Sequence, residues 1–143
     1  LEVSTTLPAV LNRQLSRDSQ LSVQDFEVLV RLCEADGAQM RVVALAEHMG
    51  WERSRLSHHL TRMKKRGLVE RRVCCCDGRG AVIHLTDQGA AALQQAAPGH
   101  VALVRRVFFG GLDCGHLNDL EAILSRIRQS LAAESKVNPT DPE

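Results

Sequence analysis

The stretch that decides the fold runs from Val42 to Gly67: VVALAEHMGWERSRLSHHLTRMKKRG. Its first eight residues set Val42, Leu45, Ala46 and Met49 at the i, i+3, i+4, i+7 spacing of one helix face. Gly50 and Trp51 interrupt that pattern. A second helix is predicted from about Glu52 to Arg66, stopped by Gly67. Two short helices joined by a tight glycine-containing turn read as a helix-turn-helix. At about 100° per residue, Leu56, Leu60 and Met63 of the second helix fall within a narrow arc, and His59 lies nearer that side. Ser54, Ser57, His58, Thr61, Arg62 and Lys65 take the far side or its flanks, with Arg55 at the border. That outer face carries no acid. Its hydroxyl, imidazole, guanidinium and ammonium groups are donors suited to phosphates and to purine acceptor atoms in the major groove. A helix selected only for solubility usually mixes in Glu or Asp.

The segment that follows reads as a hairpin. Leu68 and Val69 open a strand through about Cys75, Asp77-Gly78-Arg79-Gly80 is a turn signal, and Ala81–Leu85 returns. Arg79 would stand at the tip of a two-stranded wing, where a narrow minor groove attracts a guanidinium. Asp77 is expected to turn inward and tie the hairpin down. Charge is segregated around this centre. Residues 41–80 hold ten basic and four acidic side chains, whereas the rest of the chain holds eight basic and thirteen acidic. A basic centre in an acidic frame is either an ordinary solvated face or the footprint of a polyanion site.

The flanks read as helices. Leu7, Val10, Leu11 and Leu15 give helical spacing over residues 4–20, with Pro8 in a first turn or at a kink. Ser22 in SVQD is an N-cap, with Asp25 and Glu27 in the first turn. The helix it opens is expected over 22–35, with Phe26, Leu29, Val30 and Cys33 on one face and Cys33 in the core. Thr86 caps a long helix, which Pro98-Gly99 is expected to kink or break before a second limb, HVALVRRVFF. Asp113 opens a last helix with Leu117, Leu120, Ile123, Leu124, Ile127 and Leu131 on one stripe. From about Glu134 a disordered tail is expected.

Composition narrows the classes. The chain has 143 residues, 44% apolar and only 3% aromatic, with no Tyr, so the core rests on Leu, Val, Ala, Ile and Met and leans helical. No run approaches the ~18 apolar residues that cross a bilayer, and no leader pattern follows Leu1. The five cysteines include the adjacent Cys74, Cys75 and Cys76. Neighbours rarely reach disulfide geometry, so a reducing, cytoplasmic compartment is expected. The triplet is either tolerated at the base of the wing or a redox sensor, with Arg71, Arg72 and Arg79 near enough to favour thiolate. Zinc binding with His84 lacks the usual ligand spacing. No phosphate-binding loop, nucleophile elbow or paired carboxylates point to catalysis. The expectation is no enzyme, no metal and no cofactor.

Together LAEHMGWERSRLSHHLTRMKKRGLVERR, DGRG and HLTDQG resemble the multiple antibiotic resistance regulator (MarR) family of bacterial winged-helix proteins. The family's wing pattern, Asp-x-Arg, five residues, Leu-Thr, is matched by Asp77, Arg79, Leu85 and Thr86. The resemblance implies a mostly α fold: one domain over 1–143, with a winged helix-turn-helix lobe at 37–88 and dimerisation helices at 1–21 and 89–134. It implies a homodimer on pseudo-palindromic double-stranded DNA. The DNA-binding residues would be Ser54, Arg55, Ser57, His58, Thr61, Arg62 and Lys65, with Arg79 in the minor groove. It further implies a nucleoid-associated regulator, usually a repressor released by a small ligand or by oxidation. The ligand pocket would be lined by Leu, Val and Phe of the first, second and fifth long helices. The apolar surface of 100–109 and 113–131 independently asks for a partner. A winged helix that binds protein is the competing reading.

Overall fold

The computed structural model describes residues 2–73 and 81–137. Among them are α1 (Glu2–Ser19), α2 (Val23–Glu34), β1 (Gln39–Arg41), α3 (Val42–Met49), α4 (Arg53–Lys65), β2 (Val69–Val73), β3 (Ala81–Leu85), α5 (Asp87–Val104) and α6 (Cys114–Val137). The mostly helical, winged helix-turn-helix class read from the sequence is the class observed. The chain divides into two compact units, Leu1–Leu103 and Val104–Glu143.

In the first unit, α2 starts on a capping box. The Ser22 hydroxyl accepts the Asp25 N–H, and the Asp25 carboxylate accepts the Ser22 N–H, which satisfies two of the donors a helix start leaves open. Gly50, in the left-handed region, ends α3. Gly67, also left-handed, ends α4 with Leu68 N–H donating to Met63 O and Gly67 N–H to Lys64 O, a Schellman closure. Leu29, Leu32, Leu45, Leu56, Met63 and Ile83 are fully buried in one cluster that joins α2, α3, α4 and the sheet.

That sheet has three antiparallel strands in the order β1-β3-β2. Met40 pairs with Ile83, and Val69 with Leu85. The sequence reading missed β1. Three residues are too few to show a period, and only the partner strand makes them a strand.

Four further expectations are corrected. α1 begins at Glu2, so Pro8 sits inside it. α5 runs unbroken through Pro98 to Val104. Gly99 there lets the backbone pass close to Gln14 of α1, where a Cβ would crowd the amide. The helical register changes later, in a π-helical turn at Arg105–Phe109. The buried stripe of α2 is Asp25, Val28, Leu29 and Leu32, one residue round from the face expected. Phe26 and Val30 are therefore half-buried, and Cys33 is exposed. Finally, α6 continues to Val137, past the expected end at Glu134.

In the second unit Asp113 starts α6. His116 N–H donates to Asp113 Oδ1, and Asp113 N–H donates to His116 Nδ1. Leu117 and Leu120 are half-buried, whereas Ile123, Leu124, Ile127 and Leu131 are exposed.

Among the described glycines the tightest approach is at Gly89, where α5 meets the start of β2. A Cβ at this position would collide with Leu68 O and Leu85 Cδ1. Gly89→Ala is expected to lower the urea unfolding free energy by about 1–3 kcal/mol, as overpacking does. An unchanged midpoint would show that the junction yields.

Candidate nucleic-acid interface

The exposed side of α4 follows from its buried side. Leu56, His59, Leu60 and Met63 face inward at i, i+3, i+4, i+7. That leaves Ser54, Arg55, His58, Thr61, Arg62 and Lys65 exposed and Ser57 half-buried. The eight-residue α3 and the turn at Gly50 hold α4 so that this side stays uncovered within the unit. Besides Arg62, which meets His59, two of these side chains are already engaged. The Thr61 hydroxyl donates to Ser57 O at 2.9 Å, so its proton is spent inside the helix. The Arg55 guanidinium stands 4.3 Å above the Trp51 ring, a cation–π contact.

Beneath this face lies a polar network that the sequence reading did not assemble. Asp25, 4% exposed, is the buried acid of α2. Arg66 Nη1 donates to Asp25 Oδ2 at 2.7 Å, and its Nη2 donates to Gln20 O at the α1–α2 corner. His59 Nε2 lies 3.1 Å from Asp25 Oδ1, an ion-pair distance without the alignment of a straight hydrogen bond. Arg62 Nη2 lies 3.1 Å from His59 Nδ1. Trp51 meets the His59 ring edge-on at 5.4 Å. Burial pushes the Asp25 carboxyl up. His59, the Ser22 amide and Arg66 outweigh burial and hold it well below the usual carboxylate range. These side chains line a cleft of about 460 Å³ with Arg55 on its rim. The signal was present in the sequence. A histidine on an otherwise apolar stripe needs a buried partner, and Asp25 was the acid whose place in the stripe went unread.

Arg71 and Arg72 of the first wing strand are both exposed, on alternate faces, and Arg72 pairs with Glu70 at 2.8 Å. Cys74, Cys75, Cys76, Asp77 and Arg79 lie outside the described residues. Among the described residues no three metal-ligating side chains converge.

Residues 19–80 match the profile of the MarR family. Sco3205 of Streptomyces coelicolor, a MarR family transcriptional regulator solved in complex with DNA, is 37% identical over 91% of this chain and 81% of its own, with a TM-score of 0.85. The chain belongs to the MarR family. AbsC, a MarR family transcriptional regulator of the same organism, is also 37% identical, covering 92% of this chain and 91% of its own at a TM-score of 0.78. MOSR of M. tuberculosis, a transcriptional regulator solved with DNA, is 27% identical over 91% and 92% at 0.71. The resemblance read from the helix-turn-helix, wing and Leu-Thr residues is thus borne out. In this MarR-family chain the matched profile includes α2, α3 and α4, the elements that carry the network.

The network has a pH signature. The Asp25 carboxyl titrates lower in the folded chain than its unfolded value of about 3.9. Its stabilisation is therefore complete above that value and is lost as the pH falls below it. Asp25→Asn is expected to cost about 3 kcal/mol at neutral pH. It should also flatten the loss of urea stability between neutral pH and about pH 3. Equal acid sensitivity in parent and variant would remove Asp25 as its source.

Proposed function

We propose that the chain is a sequence-specific, double-stranded-DNA-binding transcription regulator and not an enzyme. The observation that carries this is the acid-free, exposed face of α4, with Arg55, His58, Arg62 and Lys65 presented above a fully buried leucine and methionine face. The relatives solved with DNA support it. Ser54, Ser57 and Thr61 complete the contact surface, and Arg79 is assigned to the minor groove, with Asp77 structuring the wing. Residues 37–88 form the DNA-binding lobe.

The regulator works as a homodimer through residues 1–21 and 89–134. Support comes from the second unit, where Val107, Phe108, Phe109, Ile123, Leu124, Ile127 and Leu131 are 41–63% exposed. So many exposed large apolar side chains in one unit ask to be covered. The operator is then pseudo-palindromic, with repression the expected outcome in a bacterial cytoplasm. No helix among the described residues is long and apolar enough to cross a membrane.

Release by a small apolar or aromatic effector has one structural support. A hollow of about 290 Å³ in the first unit is lined by Val23, Phe26 and Val30 of α2 and His100 of α5. The Phe26 and His100 rings sit 4.5 Å apart, and burial pushes the His100 imidazole down. Its lining differs from the expectation in lacking a residue of α1 and in carrying Glu27, Arg31 and Glu34.

The test is binding to duplexes selected by the protein from a random-sequence library, read by fluorescence anisotropy over a salt series. Log affinity should fall linearly with log salt. Arg62→Ala should weaken binding by about 1–3 kcal/mol if it reads a base, or lower the salt slope by about one if it holds a phosphate. A folded protein that selects no duplex at low salt would favour the protein-binding reading. In sedimentation, Ile127→Asp should shift a dimer to monomer. A monomeric parent would overturn the assembly.

A further inference from the structure

We propose that Asp25 and His59 form a positioning unit for Arg62, so that the guanidinium offered to DNA is set from underneath before binding. The inference rests on the reading of α4 as the DNA-contacting helix.

Proton bookkeeping fixes the arrangement. A guanidinium donates and has no acceptor. With Arg62 Nη2 3.1 Å from His59 Nδ1, that ring nitrogen must present its lone pair. The imidazole proton is then on Nε2, the atom that faces Asp25 Oδ1 at 3.1 Å. The carboxylate thus faces the N–H side of the ring at ion-pair distance, and the ring nitrogen accepts from the guanidinium. Asp25 sets the tautomer in the way a carboxylate fixes the ring of a metal-ligating or catalytic histidine.

Position favours a positioning role over simple filling. His59 is 7% exposed and shares its stripe with Leu56, Leu60 and Met63. A leucine there would bury no polar atom and would need no partner. The imidazole is held on three sides: by Asp25 of α2, by the edge-on ring of Trp51 before α4, and by Arg62 one turn along α4. Asp25 is itself fixed by the Ser22 amide and Arg66. Arg62 reaches from this base to the exposed face. An arginine whose rotamer is already selected loses less freedom when it docks, and this raises affinity without adding a contact. It also means that a shift of α2 against α4 would change where Arg62 points.

A double-mutant cycle on the selected duplex tests the proposal, with thermal melts confirming that each protein is folded. His59→Leu and His59→Met, which cannot accept a guanidinium N–H, should weaken binding about tenfold. His59→Gln should stay within about twofold, because its amide donates to Asp25 and its carbonyl accepts from Arg62. In an Arg62→Ala background the His59→Leu loss should largely vanish. If Arg62→Ala is impaired while both apolar variants bind like the parent, the positioning unit is refuted and the reading of α4 stands. An equal His59→Leu loss in both backgrounds also refutes it, since the effect then bypasses Arg62. Parent-like binding by Arg62→Ala overturns the assignment of Arg62 and the unit with it.

Discussion

One buried carboxylate sets conditions that the rest of the DNA-side unit must meet. An ionised Asp25 taken out of water is costly by several kcal/mol unless donors surround it. Here the Ser22 amide and the α4 C-terminal guanidinium of Arg66 donate to it, and the α4 imidazole of His59 stands against it at ion-pair distance. Satisfying the acid therefore fixes the start of α2 and both the middle and the end of α4. Through Gln20 O it also fixes the corner where α1 turns into α2. Leucine packing alone would tolerate sliding and rotation between these helices. Directional bonds to a single carboxylate do not.

The same acid explains how an acid-free face is built without disorder. Arginines crowded on one helix repel one another and lose rotamer freedom when they are ordered. In this chain the compensating negative charge lies beneath the helix, where it does not confront phosphate. Trp51 adds a second support by placing its ring under Arg55. The outer surface keeps its basic character while Arg55 and Arg62 are held from inside.

Much of this was legible in the sequence, and the parts that were not share a cause. The helix-turn-helix was legible because Val42, Leu45, Ala46 and Met49 and then Leu56, Leu60 and Met63 carry a clear helical period. The positions chosen for the outer face of α4 are exposed, apart from the half-buried Ser57. Three-residue β1 carries no period and exists through Ile83. The face of α2 was misjudged by one position because a buried Asp25 looks polar to any pattern count, which pushed Cys33 inward in its place. Pro98-Gly99 looked like a break, yet Gly99 serves a close approach to Gln14 and the helix passes through. The Asp25–His59–Arg62 geometry joins residues 34 and 37 positions apart, and no local spacing can show that.

Another feature bears on how the protein can change over time. The chain leaves α4 at Gly67 and Leu68, makes its excursion through both wing strands, and comes back to where it left. The Thr86 hydroxyl donates to Gly67 O, the Thr86 amide to Leu68 O, and the Gln88 amide to Arg66 O. Because this neck is stitched shut, the ends of α4 and α5 are tied to each other directly and not only through the strands between them. Exposed positions of β2, such as Arg71, can therefore change more freely than Thr86, whose hydroxyl and amide both close the neck.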